Sequence, residues 1–330
     1  MKPVAWGILS VSSHYLLRVH EPLSRLPEAR IAAIASRDPI KGREAAARLG
    51  IGKAYGSYEE LLADPEIEAV YIPLPNDLHE PWCRKALAAG KHVLCEKPLG
   101  MNPEEARAIM ATAREKGLLA MEAFMYRFHP QWSLARDIVA RGEIGRPREI
   151  RVVFSYNNAD PRNIRNIKAA GGGALYDIGC YAVSAARYLA DAEPERAFSL
   201  VRRDEATGTD VLSSGILDFG ASGTRASFTV STRSFSRQRV EVLGDKGALE
   251  IELPFNAYPD VPLGVTVSTG IGVRRVTVGP VDQYGLMFAA FSRAMREGTV
   301  PPEPLEDALA NARALDALFR SEASGLWEKV

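Results

Sequence analysis

The feature that most constrains the fold is an alternation of short apolar runs and amphipathic stretches over the first 123 residues. The apolar runs have the length and composition of buried strands, and the stretches between them carry helix-capping signals. Continuous apolar strands separated by helices indicate a parallel sheet covered on both faces. Because such crossovers are right-handed, the sheet is doubly wound and binds ligands at the carboxyl ends of its strands. The predicted strands are Val4–Leu9, Ala29–Ala35, Lys53–Tyr55, Ala69–Ile72, His92–Cys95 and 118–123.

The rest of the chain has a different pattern, in which strand-like segments follow one another without helices between them. This order is typical of an antiparallel sheet. We therefore expect an α/β chain, with a Rossmann-like doubly wound parallel sheet at 1–123. An α+β domain with a large, mostly antiparallel sheet follows at 124–330, and its C-terminal helix is able to pack back on the first domain. Its predicted strands are 148–156, 197–203, 211–219, 223–232, 237–243, Gly247–Ile251 and 273–278, and its predicted helices are 132–141, 174–189, 288–296 and 305–321.

Composition excludes several other classes of protein. Lys and Arg together number 41, as do Asp and Glu, so the zero net charge gives no electrostatic case for binding nucleic acid or an anionic membrane. Cys83, Cys95 and Cys180 have no metal-site spacing and are too few for a disulfide scaffold. No stretch approaches the ~18 apolar residues of a membrane span. We expect a cytoplasmic protein with no metal and with a small molecule as its ligand.

The loop after the first strand is the expected binding place for the phosphates of a dinucleotide. The usual G-x-G-x-x-G pattern is absent, because the loop begins Ser10-Val11-Ser12-Ser13. Serine hydroxyls can donate to phosphate oxygens beside the backbone N–H groups of a helix N-terminus. Leu9, Ser10, Val11, Ser12 and Ser13 are therefore candidate cofactor contacts. A turn that binds nothing accounts for this loop equally well.

The end of the second strand indicates which dinucleotide is preferred. NAD enzymes place an acidic residue there to hold the ribose hydroxyls, whereas this chain has Ser36 and Arg37, with Lys41 nearby. A guanidinium presents a planar fork of donors that suits a 2′-phosphate. The sequence therefore predicts NADP, with NAD as the second choice. The alternative is a surface Arg37 paired with Asp38.

The segment Glu96-Lys97-Pro98 follows the strand His92–Cys95 and forms a predicted turn at its carboxyl end. Pro98 favours an extended backbone at Lys97. The ammonium group of Lys97 would then point into the cleft and stabilise negative charge on a reacting oxygen. An exposed turn lysine is the alternative.

Several segments together make the chain resemble the Gfo/Idh/MocA family, which is named for glucose–fructose oxidoreductase, inositol dehydrogenase and rhizopine catabolism. The segments are 6–8 (WGI), 54–61 (AYGSYEEL), 88–98 (AAGKHVLCEKP), 121–130 (MEAFMYRFHP) and 171–181 (GGGALYDIGCY). The resemblance implies that Lys97 is a catalytic-site lysine and that the family's second-domain sheet pairs subunits into a homodimer or homotetramer. It also implies cofactor contacts for Leu74, Pro75, Asn76, His79, Glu96 and Lys97, although a capping or core histidine is an equal alternative for His79.

Asp177 and Tyr181 are four residues apart in a predicted helix, so they share one face. Many members of the family carry His at the second position, and the Tyr variant is similar to the dihydrodiol dehydrogenase and D-xylose 1-dehydrogenase branch. Tyr181 would then be the acid/base, because nearby positive charge favours a phenolate over the usual pKa near ~10. Asp177 would orient substrate, with Lys97, Arg127 and Arg165 as further substrate contacts. Local capping by Asp177 and core packing by Tyr181 are the alternatives.

These residues predict an NADP-dependent dehydrogenase or reductase that acts on the CH–OH group of a cyclic sugar, a polyol or a related compound. Two alternatives remain open at this point. One is a non-catalytic NAD(P)-binding sensor, which the missing loop glycines favour. The other is an enzyme of the same fold that acts on trans-dihydrodiols or as an aldose–aldose oxidoreductase.

Overall fold

The computed structural model describes residues 2–330, which form two compact units. The first unit consists of Met1–Met125 and Tyr284–Leu309, and the second consists of Tyr126–Gln283 and Ala310–Val330. Each unit is therefore built from two separate segments of the chain.

The described part of the first unit contains a parallel sheet of six strands in the order β3-β2-β1-β4-β5-β6. The order reverses at β1, so the carboxyl ends of β1 and β4 lie at the switch point where doubly wound sheets bind ligands. The predicted doubly wound parallel sheet is confirmed. Its strands are β1 Val4–Leu9, β2 Ala29–Ala35, β3 Lys53–Tyr55, β4 Ala69–Ile72, β5 His92–Cys95 and β6 Ala120–Glu122.

Local capping explains where the helices of this unit begin and end. The Ser57 hydroxyl accepts from the Glu60 N–H, and Asn102 accepts from the Glu105 N–H at the next capped start. Gly50 and Gly117 end two helices in the left-handed conformation. The helices are α1 His20–Ser24, α2 Pro39–Leu49, α3 Tyr58–Ala63, α4 His79–Ala88 and α5 Pro103–Lys116.

Two packing contacts fix the central strand β1 of the parallel sheet. A Cβ on Gly7 would lie 2.6 Å from Leu61 Cδ2, so a larger residue at this position would displace the Leu61 side chain. On β1, the Trp6 ring packs edge-on against Phe288, with ring centroids 4.9 Å apart, and Trp6 is fully buried. The C-terminal segment of this unit therefore supplies part of its core.

The described part of the second unit contains a sheet of nine strands in the order β14-β13-β12-β11-β7-β10-β9-β8-β15. Strands β7 and β10 are parallel neighbours and the other neighbours are antiparallel, which confirms the predicted mostly antiparallel sheet. The strands are β7 Pro147–Asn157, β8 Arg196–Arg203, β9 Asp210–Asp218, β10 Arg225–Ser231, β11 Arg233–Gly244, β12 Gly247–Ile251, β13 Leu263–Thr269, β14 Gly272–Val278 and β15 Glu328–Lys329. The prediction omitted β13 and β15.

Helices α6 Pro130–Ala140 and α7 Cys180–Ala190 belong to this second unit, and α8 Gln283–Glu297 and α9 Leu305–Ser324 close the chain. One face of β7 carries Phe154 and Tyr156, which contact residues of the α7 region. Within residues 2–330, no helix is both long and apolar enough to cross a membrane.

Two helices of the structure follow directly on a π-helical turn. Tyr15–Val19 precedes α1, and Leu175–Gly179 precedes α7. The helix α1 that follows the first of these turns ends at Ser24. A π-helical turn holds about one extra residue, and such turns are frequent at functional sites.

Candidate active site

The loop after β1 has a glycine-like backbone although it contains no glycine. Ser10 has φ 131°, a conformation that favours glycine and is strained for other residues. The Ser12 hydroxyl accepts from the Tyr15 N–H at 3.1 Å and starts the π-helical turn. The chain therefore turns tightly at the first position where the usual dinucleotide-binding pattern has glycine. Strain of this kind is typical of functional sites.

The end of β2 carries two cations that are not neutralised within the described chain. The Asp38 carboxylate accepts from the Ile40 and Lys41 N–H groups and caps α2. Neither the Arg37 guanidinium nor the Lys41 ammonium forms an ion pair within residues 2–330, and both side chains are exposed. The suggested pairing of Arg37 with Asp38 is therefore not what the structure contains. Ser36 is buried beside them and accepts from the Asp38 N–H.

The Glu96 carboxylate lies buried at the carboxyl end of β5. Glu96 Oε1 accepts from the Tyr71 hydroxyl at 2.5 Å and lies 3.3 Å from His14 Nε2. Burial alone would raise the pKa of Glu96, but His14, Lys97 and the Tyr71 hydrogen bond together lower it to about 2. The His14 ring also packs edge-on against Tyr284, with ring centroids 5.7 Å apart.

This cluster includes a residue that the sequence reasoning missed. His14 stands in the loop where the dinucleotide phosphates are expected, yet only Leu9 to Ser13 were proposed there. A histidine within a predicted phosphate loop is the signal that could have identified it.

His79 connects the two loops that follow β4 and β5. Its ring is fully buried, with Nδ1 2.7 Å from the Pro98 carbonyl and Nε2 2.9 Å from the Leu74 carbonyl. Burial lowers the pKa of His79, and a neutral imidazole has one N–H, so only one of these contacts is a donated hydrogen bond. The ring thus contacts backbone on both sides and holds the Lys97-Pro98 turn, whose peptide bond is cis.

The remaining predicted contacts lie in these two loops. Leu74 is buried, whereas Pro75, Asn76 and Lys97 are partly exposed. They therefore lie at the carboxyl ends of β4 and β5, where the doubly wound sheet was expected to bind its ligand.

In the second unit, Asp177 lies at the centre of a polar cluster. Its Oδ2 accepts from the Tyr156 hydroxyl at 2.5 Å and from Arg165 Nε at 3.1 Å. Burial and then the nearby Asp177 charge raise the pKa of Tyr156, so this tyrosine keeps its proton. The Asp177 charge also raises the pKa of Arg165. The predicted pair Asp177 and Arg165 is brought together, and Tyr156 is a neighbour that the sequence reasoning missed.

Tyr181 lies one turn further along and is 5% exposed. Its ring centroid is 5.7 Å from that of Tyr126, 5.6 Å from Phe154 and 5.3 Å from Phe255. Phe154 and Tyr156 are two residues apart in β7 and so point to one face of the sheet. Asp177 and Tyr181 therefore face the same side of β7, although Asp177 lies in a π-helical turn and not in the expected α-helix.

The Arg127 guanidinium is engaged within the second unit. Its Nε donates to the Tyr126 hydroxyl at 3.0 Å, and its Nη2 donates to the Ser184 hydroxyl at 2.9 Å. The guanidinium also lies 4.5 Å from the Tyr188 ring centroid. Arg127 thus contacts Tyr126, whose ring packs beside Tyr181. Its proposed contact with substrate stays a prediction.

Residues 2–330 contain no group of three or more His, Cys, Asp or Glu side chains arranged to hold a metal ion. All three cysteines are buried free thiols.

Comparison with known proteins shows the family. Residues 10–124 match the family described as "Oxidoreductase family, NAD-binding Rossmann fold", and residues 132–250 match the Gfo/Idh/MocA C-terminal domain. The chain belongs to the Gfo/Idh/MocA oxidoreductase family. The first match begins at the loop after β1, and the second extends from α6 into β12. In this Gfo/Idh/MocA protein, His14 and Glu96 lie within the first matched region, and Asp177 and Tyr181 lie within the second.

Three relatives show which members of the Gfo/Idh/MocA family the chain is similar to. It is 39% identical to D-xylose 1-dehydrogenase (NADP(+)) 2 of Haloferax volcanii, over 92% of this chain and 93% of that protein. It is 38% identical to trans-1,2-dihydrobenzene-1,2-diol dehydrogenase of Mus musculus, over 75% of this chain and 74% of that protein. Its structure is similar to that of a 3-ketoreductase from Actinomadura kijaniata in complex with NADP and TDP-benzene. That similarity has a TM-score of 0.92 at 31% identity and covers 97% of this chain and 98% of the other.

Proposed function

We propose that this protein is an NADP-dependent dehydrogenase or reductase that acts on the CH–OH group of a cyclic sugar or polyol. The observation that carries the proposal is the cluster of Asp177, Tyr156 and Arg165 on the same side of β7 as Tyr181, in a chain of an oxidoreductase family. An uncharged hydroxylated ring is recognised by such buried, hydrogen-bonded polar groups.

Three features of the first unit support NADP as the cofactor. Ser10 gives the loop after β1 a glycine-like turn, and the Asp38 carboxylate is used as a helix cap and not as a ribose ligand. Arg37 and Lys41 provide cations for a 2′-phosphate. The name of the similar D-xylose 1-dehydrogenase specifies NADP(+), and the structure of the similar 3-ketoreductase is a complex with NADP. We assign the following residues to the cofactor site: Leu9 to Ser13, Ser36, Arg37, Lys41, Leu74, Pro75, Asn76 and Lys97. Glu96 and His79 belong to the same site, where their buried side chains support the loops that carry these residues.

Bound NADP⁺ supplies the hydride acceptor. In the proposed mechanism Tyr181 removes the proton from the substrate hydroxyl and returns it in the reverse reaction. Lys97 stabilises negative charge on the same oxygen. Asp177, oriented by Tyr156 and Arg165, accepts hydrogen bonds from the substrate.

Two tyrosines lie near Asp177, and their surroundings assign them different roles. Tyr156 donates directly to the Asp177 carboxylate, and burial together with the Asp177 charge holds the pKa of Tyr156 above its usual value and keeps the hydroxyl protonated. The Tyr181 ring packs against Phe154 and Phe255 and lies one helical turn beyond Asp177 on the same side of β7. We therefore assign proton transfer to Tyr181 and orientation of Asp177 to Tyr156.

Oligomeric state and location are part of the proposal. Val153, Leu200, Leu212 and Ile216 are apolar side chains exposed on strands of the large sheet. A symmetric homodimer or homotetramer that covers this face would bury them. The buried free thiols support a reducing compartment such as the cytoplasm.

The experiment is a substrate panel of D-xylose, D-glucose, myo-inositol and a trans-dihydrodiol, followed by reduced-nicotinamide absorbance with NADP⁺ and with NAD⁺. We expect at least one aldose to be oxidised, and faster with NADP⁺. Turnover of the dihydrodiol alone would transfer the assignment to that substrate class. NADP⁺ binding without turnover of any compound would overturn the enzyme assignment in favour of a sensor.

A further inference from the structure

The start of the helical segment that carries Asp177 and Tyr181 is held by glycines with no space for a side chain. A Cβ on Gly172 would lie 2.6 Å from the Arg165 carbonyl oxygen. Gly173 has φ 129°, and its N–H donates to the same carbonyl at 2.9 Å. The glycines therefore bring the loop of Arg165 directly against the first turn of this segment.

Asp210, the first residue of β9, lies on the other side of this turn and is 1% exposed. Its Oδ2 accepts from the Leu175 N–H at 2.6 Å and from the Ser213 hydroxyl at 3.1 Å. A Cβ on Gly173 would lie 1.9 Å from Asp210 Oδ1. The carboxylate is thus packed directly against the first turn.

The first N–H groups of a helix lack partners within the helix and need a cap. Ala174 precedes Leu175 and provides no side-chain cap. Asp210, 35 residues further along the chain, takes that place for the Leu175 N–H. A local Ser or Asn at position 174 would cap the helix without burying a carboxylate, whereas burial of Asp210 is costly and raises its pKa.

We propose that Asp210 is a positioning residue for the sugar site: its carboxylate fixes the first helical turn, and through it the placement of Asp177 and Tyr181. This inference rests on the proposed function. The Asp177 N–H donates to the Gly173 carbonyl at 3.0 Å, so movement of the turn at Gly173 displaces Asp177 from Tyr156 and Arg165. A displacement of about 1 Å at a reacting group can lower the rate about 100-fold.

The test compares D210A, which removes the hydrogen-bond acceptor, with D210N, whose side chain has the same length and keeps one acceptor oxygen. The control is S213A, which removes the other hydrogen bond to the same carboxylate. NADPH fluorescence titration counts the binding-competent sites, so kcat with the best aldose of the panel is expressed per site. Hydrogen–deuterium exchange follows the amides of residues 174–182.

For D210A we expect kcat per site to fall about 10- to 100-fold, with NADPH affinity and the aldose KM within threefold of the parent. Amide exchange at 174–182 should be faster. D210N should have at least a third of the parental kcat per site and the parental rate of amide exchange at 174–182. The kcat per site of S213A should stay within threefold of the parent. If D210A does not fold, D210S replaces it, because its shorter side chain cannot reach the Leu175 N–H.

Two results would overturn the inference. The first is parental kcat per site in D210A, and the second is unchanged exchange at 174–182. If the parent protein oxidises no compound of the panel, the proposed function fails, and the exchange comparison of D210A with D210N still decides the role of Asp210.

Discussion

Each unit of this protein has a buried carboxylate beside its candidate site, Glu96 in the first and Asp210 in the second, and the two differ in their surroundings. Glu96 in the first unit is close to His14 and Lys97, which help to lower its pKa to about 2 against the effect of burial. Asp210 in the second unit accepts from a backbone N–H and a serine hydroxyl, and burial raises its pKa. The Arg203 charge acts to lower the pKa of Asp210 but is outweighed by burial, whereas at Glu96 the neighbouring groups outweigh burial.

This contrast matches the ligands that we propose for the two units. The first unit gathers Arg37, Lys41 and Lys97 at the carboxyl ends of its strands, as a phosphate-bearing cofactor requires. The second unit pairs its central charges internally, Arg165 with Asp177, as suits an uncharged sugar. If the comparison is correct, substitutions in one unit should change one binding or chemical property and leave the other intact.

The largest effect is expected from Tyr181→Phe in the second unit. Loss of the acid/base should lower kcat by about 10²- to 10⁴-fold while the Kd for NADPH stays unchanged. The measurement is steady-state turnover combined with NADPH fluorescence titration. Tyr188→Phe is the matched control, because Tyr188 lies on the same helix α7 and packs against Trp132. Turnover of Tyr181→Phe within tenfold of the parent would refute the assigned role.

The sequence predicted the strands of the first unit closely, and the reason is local. Apolar runs such as Val4–Leu9 and Ala69–Ile72 are bounded by polar residues, prolines or glycines, so their ends are visible without tertiary information. Strand β13 was missed because it follows a proline-containing segment and includes Gly264. The π-helical turns were missed because one extra residue in a turn hardly changes the apolar periodicity.

The candidate site was less predictable because its contacts are distant in sequence. Lys97, Asp177 and Tyr181 were proposed through resemblance to a family, and their roles stay predictions. Tyr156 reaches Asp177 across 21 residues, and Asp210 reaches Leu175 across 35. No spacing rule links such partners, since they meet only when β7 and β9 are placed in the sheet.

The second effect concerns the first unit alone. Arg37→Ala should raise the Kd for NADP⁺ about 10- to 100-fold, because a hydrogen-bonded charge pair contributes roughly 1.5–3 kcal/mol. The Kd for NAD⁺ and the aldose KM with saturating cofactor should change little. Arg43→Ala is the control, because Arg43 is an exposed arginine on the same helix α2. An unchanged ratio of NADP⁺ to NAD⁺ affinity in Arg37→Ala would assign the preference to other residues.

The smallest effect, on stability, tests the contrast between the two buried carboxylates directly. The pKa of Glu96 is lower in the folded protein than in the unfolded chain, so its ionisation stabilises the fold above about pH 4.5, and that contribution is lost as pH falls toward 2. The pKa of Asp210 is raised in the folded protein, so ionisation of this carboxyl group opposes folding. The contribution of Asp210 to the free energy of unfolding therefore declines as pH rises from about 4.

Melting temperatures of Glu96→Gln and Asp210→Asn between pH 3 and pH 7 should therefore diverge from the parent in opposite directions. Glu96→Gln should lose a few degrees at pH 7 and less at pH 3, because at pH 3 the parent has begun to lose the same contribution. Asp210→Asn should improve relative to the parent as pH rises, because an amide has no charge to bury. Glu44→Gln, an exposed substitution on α2, should follow the parent at every pH. If the melting temperatures of the two variants change with pH in the same direction relative to the parent, the surroundings of Glu96 and Asp210 do not shift their pKa values in opposite directions. The proposed electrostatic contrast between the two units would then be wrong.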